Sequence, residues 1–358
     1  MAARGSFDSR LGFILASAGS AVGLGNIWKF PFEVGAGGGA AFVFIYLICC
    51  FVLCYPVMVA EIAIGRKTQK NAVGAFKALG FKNWSIVGYL GVISGLVILS
   101  FYNVVAAWAL GYFVEMVTGN FSVSTAFGAF TSDWLKISIY AIAFMGGTAW
   151  VVSKGISGGI ERASKILMPL LLIMVLGLVA YALTLPHAMA GLKFYLQPDF
   201  SKVTPKVVYN ALGQAFFSLS LGMGALITFG SYVDRKTNIV SAAAIITIAD
   251  VSVAVLAGLM MFPFVSYLNG GDAEAIKNVS GGPGFIFITL PGIFESLGPI
   301  LGRIIGGAFF LLLSFSAFTS TISLLEVPTA YVVDEKKVGR TKATILVASF
   351  VFIIGIPS

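Results

Sequence analysis

Glycine, serine and asparagine crowd the middle of the first apolar stretch, as Gly19-Ser20-Ala21-Val22-Gly23-Leu24-Gly25-Asn26. A helix crossing hydrocarbon must satisfy its own backbone. Such residues at mid-membrane depth are tolerable only where loosened backbone lines a cavity or holds an ion. A second interruption of the same kind falls at Ser218-Leu219-Ser220-Leu221-Gly222-Met223-Gly224. Two interrupted spans, one in each half of a chain, point to a transporter's binding site. Asp250 sits in the middle of another apolar run, where a carboxylate is costly and marks function. Other chemistries find little support. His187 is the only histidine and lies in a loop, which removes histidine-based metal sites and most catalytic triads. Cys49, Cys50 and Cys54 share one apolar run and read as packing residues, with no disulfide framework. No nucleophile–base pair, phosphate loop or metal cluster is found, so the chain does not read as an enzyme.

The elements that must position these residues are apolar helices. The chain is 58% hydrophobic and 11% charged, with a mean hydropathy of +0.96; a soluble protein carries roughly a quarter charged residues. Nine apolar segments, at 11–32, 40–64, 86–116, 135–153, 164–185, 207–232, 239–267, 301–333 and 341–357, are each near the ~20 residues a bilayer requires. The first is long and runs on into the fold, so it reads as a retained helix and not as a cleaved signal. Lysines and arginines concentrate on the side of the N-terminus, at Arg4, Arg10, Arg66, Lys67, Lys70, Lys77, Arg235, Lys236, Lys336 and Lys337. That bias places the N-terminus in the cytoplasm, and the net charge of +8 belongs to short loops, with no nucleic-acid footprint. The expected setting is a multi-pass protein of the cell (inner) membrane.

The segments Gly19–Pro31, Gly37-Gly38-Gly39-Ala40-Ala41-Phe42, Glu61-Ile62-Ala63-Ile64-Gly65-Arg66 and Gly213–Gly224 are similar to those of the neurotransmitter:sodium symporter family, and most of all to its bacterial amino-acid transporters. The resemblance runs from the N-terminus to Ser358. It implies an all-α integral membrane fold built as a five-plus-five inverted repeat with broken first and sixth helices. Residues 1–185 would form the first repeat and 186–358 an incomplete second one, with the chain ending within a ninth helix.

The resemblance also implies a site. One sodium ion would take the Ala21 carbonyl, the Asn26 side chain, Ser218 and Asp250. The second would take the Gly19, Val22 and Ser316 carbonyls with the Thr319 and Ser320 hydroxyls. The substrate would meet the backbone around Ala21, Gly23 and Gly25, and its carboxylate would be bound by Tyr102. Its side chain would lie among Ile98, Phe217, Ser218, Ser220, Met223, Ser323 and Leu324. Relatives that move monoamines carry an aspartate where Gly23 stands, so the substrate here should bring its own carboxylate. A flexible Met223 favours large apolar or aromatic guests.

Closure inside would come from an Arg4–Asp334 ion pair beside Phe7. Closure outside would come from Tyr102 and Phe217, with Lys29 paired to an acid beyond Ser358. Glu61 would brace unwound backbone, and the stretch from Gly159 to Pro169 is one that some relatives unwind. Glu326 is given no role. The implied function is sodium-coupled symport of hydrophobic or aromatic L-amino acids by alternating access, without chloride because Asp250 supplies the anionic charge. The alternatives are a membrane sensor that only binds, or a carrier of amines or compatible solutes. Oligomeric state is not specified by the sequence.

Overall fold

The computed structural model describes residues 5–272 and 285–356, and everywhere below the fold is that of these residues. They form helices and no strand. The first span is broken. Helix α1 (Arg10–Ala21) opens on Ser9, whose hydroxyl accepts the Gly12 N–H, and it stops where Val22 turns to extended backbone. After Gly23 and Leu24 the chain winds up again as α2 (Gly25–Ala36), bent 47° from α1.

The remaining elements follow in order: α3 (Ala40–Thr68), α4 (Ala72–Ala78), α5 (Lys82–Thr118), α6 (Phe127–Ser132), α7 (Trp134–Ser153), α8 (Ile156–Ala182) and α9 (Ala188–Leu196). The second broken span is α10 (Pro205–Ser218) and α11 (Ala225–Gly230). Then come α12 (Ile239–Leu268), α13 (Ile286–Ser296), α14 (Pro299–Lys336) and α15 (Arg340–Gly355). Six of these helices, and the bent α1–α2 pair as a seventh, are long and apolar enough to cross a membrane.

The expected spans all contain helix, and several run further than the apolar windows that announced them. The short helices α4, α6, α9 and α13 lie where the sequence reads as loop. They are too short for a span, and tertiary contacts hold them. Tyr195 of α9, for instance, stacks on Phe262 and donates to the Val255 carbonyl.

The two longest helices, α5 and α14, pack along one another and form the frame. Small residues allow close approach elsewhere, as expected where hydrocarbon removes a hydrophobic drive between helices. Gly65 of α3 lies against the Ile227 carbonyl of α11, and Gly230 of α11 lies against the Ile62 carbonyl of α3. A side-chain carbon on either would collide with the opposite backbone.

The cysteines behave as packing residues, since all three are free and buried. The Gly159–Pro169 stretch is wound. The chain breaks instead at Gly155 (φ +90°), a left-handed conformation that favours glycine. It then makes a π-helical turn over Ile156–Glu161 and continues through Pro169 to Ala182.

Candidate functional site

The two breaks face each other. In the first, the freed Leu24 N–H donates to the Tyr102 hydroxyl (2.9 Å) and the Gly23 N–H to Asn26 Oδ1 (3.0 Å). In the second, Ser220, Gly222 and Gly224 all adopt left-handed backbone (φ +53°, +76° and +73°). The strain at Ser220, which has a side chain, is offset by its hydroxyl donating to the Ser20 carbonyl of the first break (2.8 Å). The Gly222 N–H donates to Glu61 Oε1 (2.8 Å), the bracing position expected of that carboxylate.

Between the breaks lies a small cavity with about 20 Å³ of free space, lined by Ser20, Ala21, Gly23, Gly25, Ile98, Tyr102, Phe217, Ser220, Met223, Ser320 and Leu324. That is room for about one water molecule. No charged side chain lines it. Of the residues expected there, Ser218 and Ser323 stand behind the wall. Ser323 accepts the Ser20 hydroxyl (2.8 Å) and donates to the Ser320 carbonyl (2.8 Å).

Ser218 belongs to a buried polar cluster on one flank. Asn26 Nδ2 donates to Asp250 Oδ1 (2.8 Å) and to Ser218 Oγ (3.0 Å), and the Ser218 hydroxyl donates to Asp250 Oδ2 (2.8 Å). Asp250 and Asn26 are both 0% exposed. Two further buried residues that the sequence reading had passed over lie at this flank, and one of them, Tyr46, joins the cluster itself. Tyr46 donates to Ser218 Oγ (3.2 Å) and Asp250 Oδ2 (3.4 Å), and Gln214 Nε2 donates to the Gly25 carbonyl (2.8 Å). A tyrosine in an apolar span must find a partner for its hydroxyl, and that rule was the available signal for Tyr46.

On the opposite flank, the Thr319 hydroxyl lies within reach of the Ser316 carbonyl (3.0 Å) and the Val22 carbonyl (3.4 Å). Gly19 packs on the Thr319 side chain, its absent Cβ leaving 3.3 Å to Thr319 Cβ. Ser320 turns toward the cavity: its hydroxyl is 3.5 Å from the Ser20 carbonyl and occupies the space a Gly23 side chain would need. Oxygen atoms of this kind are what a hard cation takes in place of its hydration shell.

Tyr102 and Phe217 line this small cavity and also a larger adjoining one of about 310 Å³, with Leu24, Trp28, Lys29, Phe32 and Phe101. They form the partition between the two. Lys29 has its ammonium 4.7 Å above the Phe217 ring, a cation–π contact. On the N-terminal side of the first break, Phe7 packs edge-on against Phe13, Phe229 and Tyr232.

Arg4 lies outside the described residues, so its expected pairing with Asp334 does as well. Asp334 itself accepts from the Asn71 N–H (3.0 Å) and Nδ2 (3.1 Å) at the start of α4. Lys77, on the same short helix, pairs with Glu335 at 3.2 Å, and that hydrogen bond raises the pKa of its ammonium. Glu326 gains partners the sequence could not show: the Arg340 guanidinium and the Tyr232 hydroxyl (2.7 Å).

The chain is similar to known transporters. The profile of the sodium:neurotransmitter symporter family matches residues 4–133 and 134–358. An uncharacterized sodium-dependent transporter of Bacillus subtilis is 38% identical over 358 residues, covering 98% of this chain and 77% of its own. The sodium- and chloride-dependent GABA transporter 2 of Rattus norvegicus is 27% identical over 347 residues, covering 80% of this chain and 55% of its own. Among solved structures, MhsT in complex with L-phenylalanine superposes with a TM-score of 0.90 at 43% identity, covering 99% of this chain and 80% of that one.

Proposed function

The chain belongs to the sodium:neurotransmitter symporter family and is a sodium-dependent transporter, not an enzyme, and on that premise we propose that it carries hydrophobic or aromatic L-amino acids into the cell with sodium and without chloride. The observation that carries this reading is the cavity between the breaks, which has no charged side chain of its own and is flanked by the buried Asp250 carboxylate. A zwitterionic substrate fits such a place. Its carboxylate meets the first sodium ion and Tyr102, and its apolar side chain meets Ile98, Phe217, Met223 and Leu324. The solved relative holds L-phenylalanine, which accords with a large apolar guest.

The first ion takes Asn26, Ser218, Asp250 and the Ala21 carbonyl. The second takes Thr319 and Ser320 with the carbonyls of Gly19, Val22 and Ser316. Two sodium ions carry +2, which the substrate carboxylate and Asp250 meet with two negative groups beside them. The substrate's own ammonium leaves the loaded site at a net +1, and the Asp250 carboxylate supplies the fixed negative charge that a halide would otherwise bring. Transport proceeds by opening the Tyr102–Phe217 partition and the Phe7 seal in alternation. The N-terminus lies in the cytoplasm, the membrane is the inner one, and residues 1–185 and 186–358 act as the two repeats.

The test is uptake of labelled L-phenylalanine, L-tryptophan and L-leucine into proteoliposomes. Sodium is exchanged for potassium, and separately chloride for gluconate. Uptake is expected to vanish in potassium and to stay unchanged in gluconate. A steep loss in gluconate rules out the chloride-free reading. Uptake in potassium overturns the coupling itself.

Tyr102→Phe tests the substrate end of the site. It removes a buried hydroxyl that accepts from Leu24, a loss of about 1–3 kcal/mol. The KM for L-phenylalanine should rise about tenfold or more, measured as initial uptake at saturating sodium. An unchanged KM removes Tyr102 from the carboxylate's partners.

A further inference from the structure

Helix α1 is held at both ends by one face of α8. At its start, Glu161 of α8 is 1% exposed. Its Oε2 accepts the Asp8 N–H (2.7 Å), and its Oε1 accepts the Ser9 hydroxyl (2.8 Å). Ser9 in turn accepts from Gly12 (3.0 Å), so the carboxylate completes the cap of the helix and places a negative charge at its positive end. Gly12 gives the carboxylate its room, because a Cβ there would fall on the carboxyl group itself.

Two turns further along α8, Met168 packs on Gly19 (3.2 Å from Sδ to where its Cβ would be), beside Thr319. The whole of α1, which carries both contacts, is 12 residues of regular helix, a stiff rod of about 18 Å. Lys165 sits 2.7 Å from Glu161 Oε1, so the carboxylate keeps a cationic partner if α1 leaves.

We propose that Glu161 is the positioning residue that latches α1 in its docked orientation, closing the inner side of the site through the attached Phe7 segment. The latch and the second sodium ion then act on opposite ends of the same rod, and each strengthens the other. This second part rests on the sodium reading above; the latch itself does not. Linkage is reciprocal, so weakening the latch must also weaken the hold of sodium on the docked state.

The experiment places nitroxide labels at Ser6→Cys and Lys236→Cys, both exposed positions, in full-length protein with Cys49, Cys50 and Cys54 replaced by alanine. Distance distributions are recorded across a sodium titration against potassium. Glu161→Ala should lengthen and broaden the distances in potassium. It should also raise the sodium concentration that half-restores the short distance by about fivefold or more.

Gly12→Ala, which displaces the carboxylate without removing it, should do the same, and Glu161→Gln should fall between, since its amide oxygen keeps one acceptor. Ser164→Ala, whose hydroxyl bonds only within α8, should match the parent and so separates a latch from general loosening of that helix. Parental distances in Glu161→Ala overturn the proposal. If that variant does not fold, parental distances in both Glu161→Gln and Gly12→Ala overturn it equally. A parent protein whose own distances ignore sodium counts against the sodium reading, while the latch is still judged by comparing variants at one salt.

Discussion

Asp250→Asn should abolish chloride-free uptake, lowering it about a hundredfold or more. The carboxylate accepts from Asn26, Ser218 and Tyr46 at a fully buried position. Removing its charge leaves the first sodium ion without its only protein-borne counter-charge among the proposed ligands. Loss of one member of a buried charged pair costs about 3–5 kcal/mol, and every 1.4 kcal/mol is about tenfold in affinity. The substitution is nearly isosteric, so folding should survive and the loss should appear as a raised sodium requirement. If charge is the reason, added chloride should restore part of the uptake, because a halide can supply the missing −1. Uptake by Asp250→Asn in gluconate at the parental rate would falsify the charge argument.

The second large effect is expected at Gly23. A Cβ there would overlap the Ser320 hydroxyl and lie 2.7 Å from the Tyr102 hydroxyl. Overpacking alone costs about 1–3 kcal/mol, so Gly23→Ala should weaken binding of L-phenylalanine about tenfold. Gly23→Asp adds a carboxylate where the substrate's own must sit. Repulsion then joins the steric cost, and the loss should reach about a hundredfold. An amine without a carboxylate, such as phenethylamine, should lose far less and so gain relative to the amino acid. Equilibrium binding of both ligands to the three proteins in sodium gives the answer. Equal losses for amine and amino acid would mean that Gly23 matters for space alone.

The breaks were legible because glycine, serine and asparagine are costly inside an apolar run, and helix packing, which explains single glycines such as Gly65, does not call for so many in succession. The spans were legible for the complementary reason, that about twenty apolar residues in succession have few other uses. What stayed hidden depends on distant residues meeting. Lys29 was expected to pair with an acid beyond Ser358; among the described residues its ammonium rests over Phe217, a contact that no spacing announces. Tyr46 reads as one more apolar residue of its span until its hydroxyl is found on Asp250. Glu326 had no visible partner because Arg340 lies beyond the end of the same helix and Tyr232 comes from another part of the chain. The short helices α4 and α9 are fixed by burial against long ones, and local sequence carries little of that.

The paired glycine contact between α3 and α11 divides the second broken span between two mechanical parts. Gly65 and Gly230 each rest on the other helix's backbone, so α11 cannot slide or roll on α3 without lifting off entirely. Any tilt of α11 therefore carries α3 along as a single lever. The whole change of direction must be absorbed by the six residues from Leu219 to Gly224, three of which already hold left-handed backbone. That segment is where the span must bend, and its Ser220 and Met223 line the cavity proposed for the substrate.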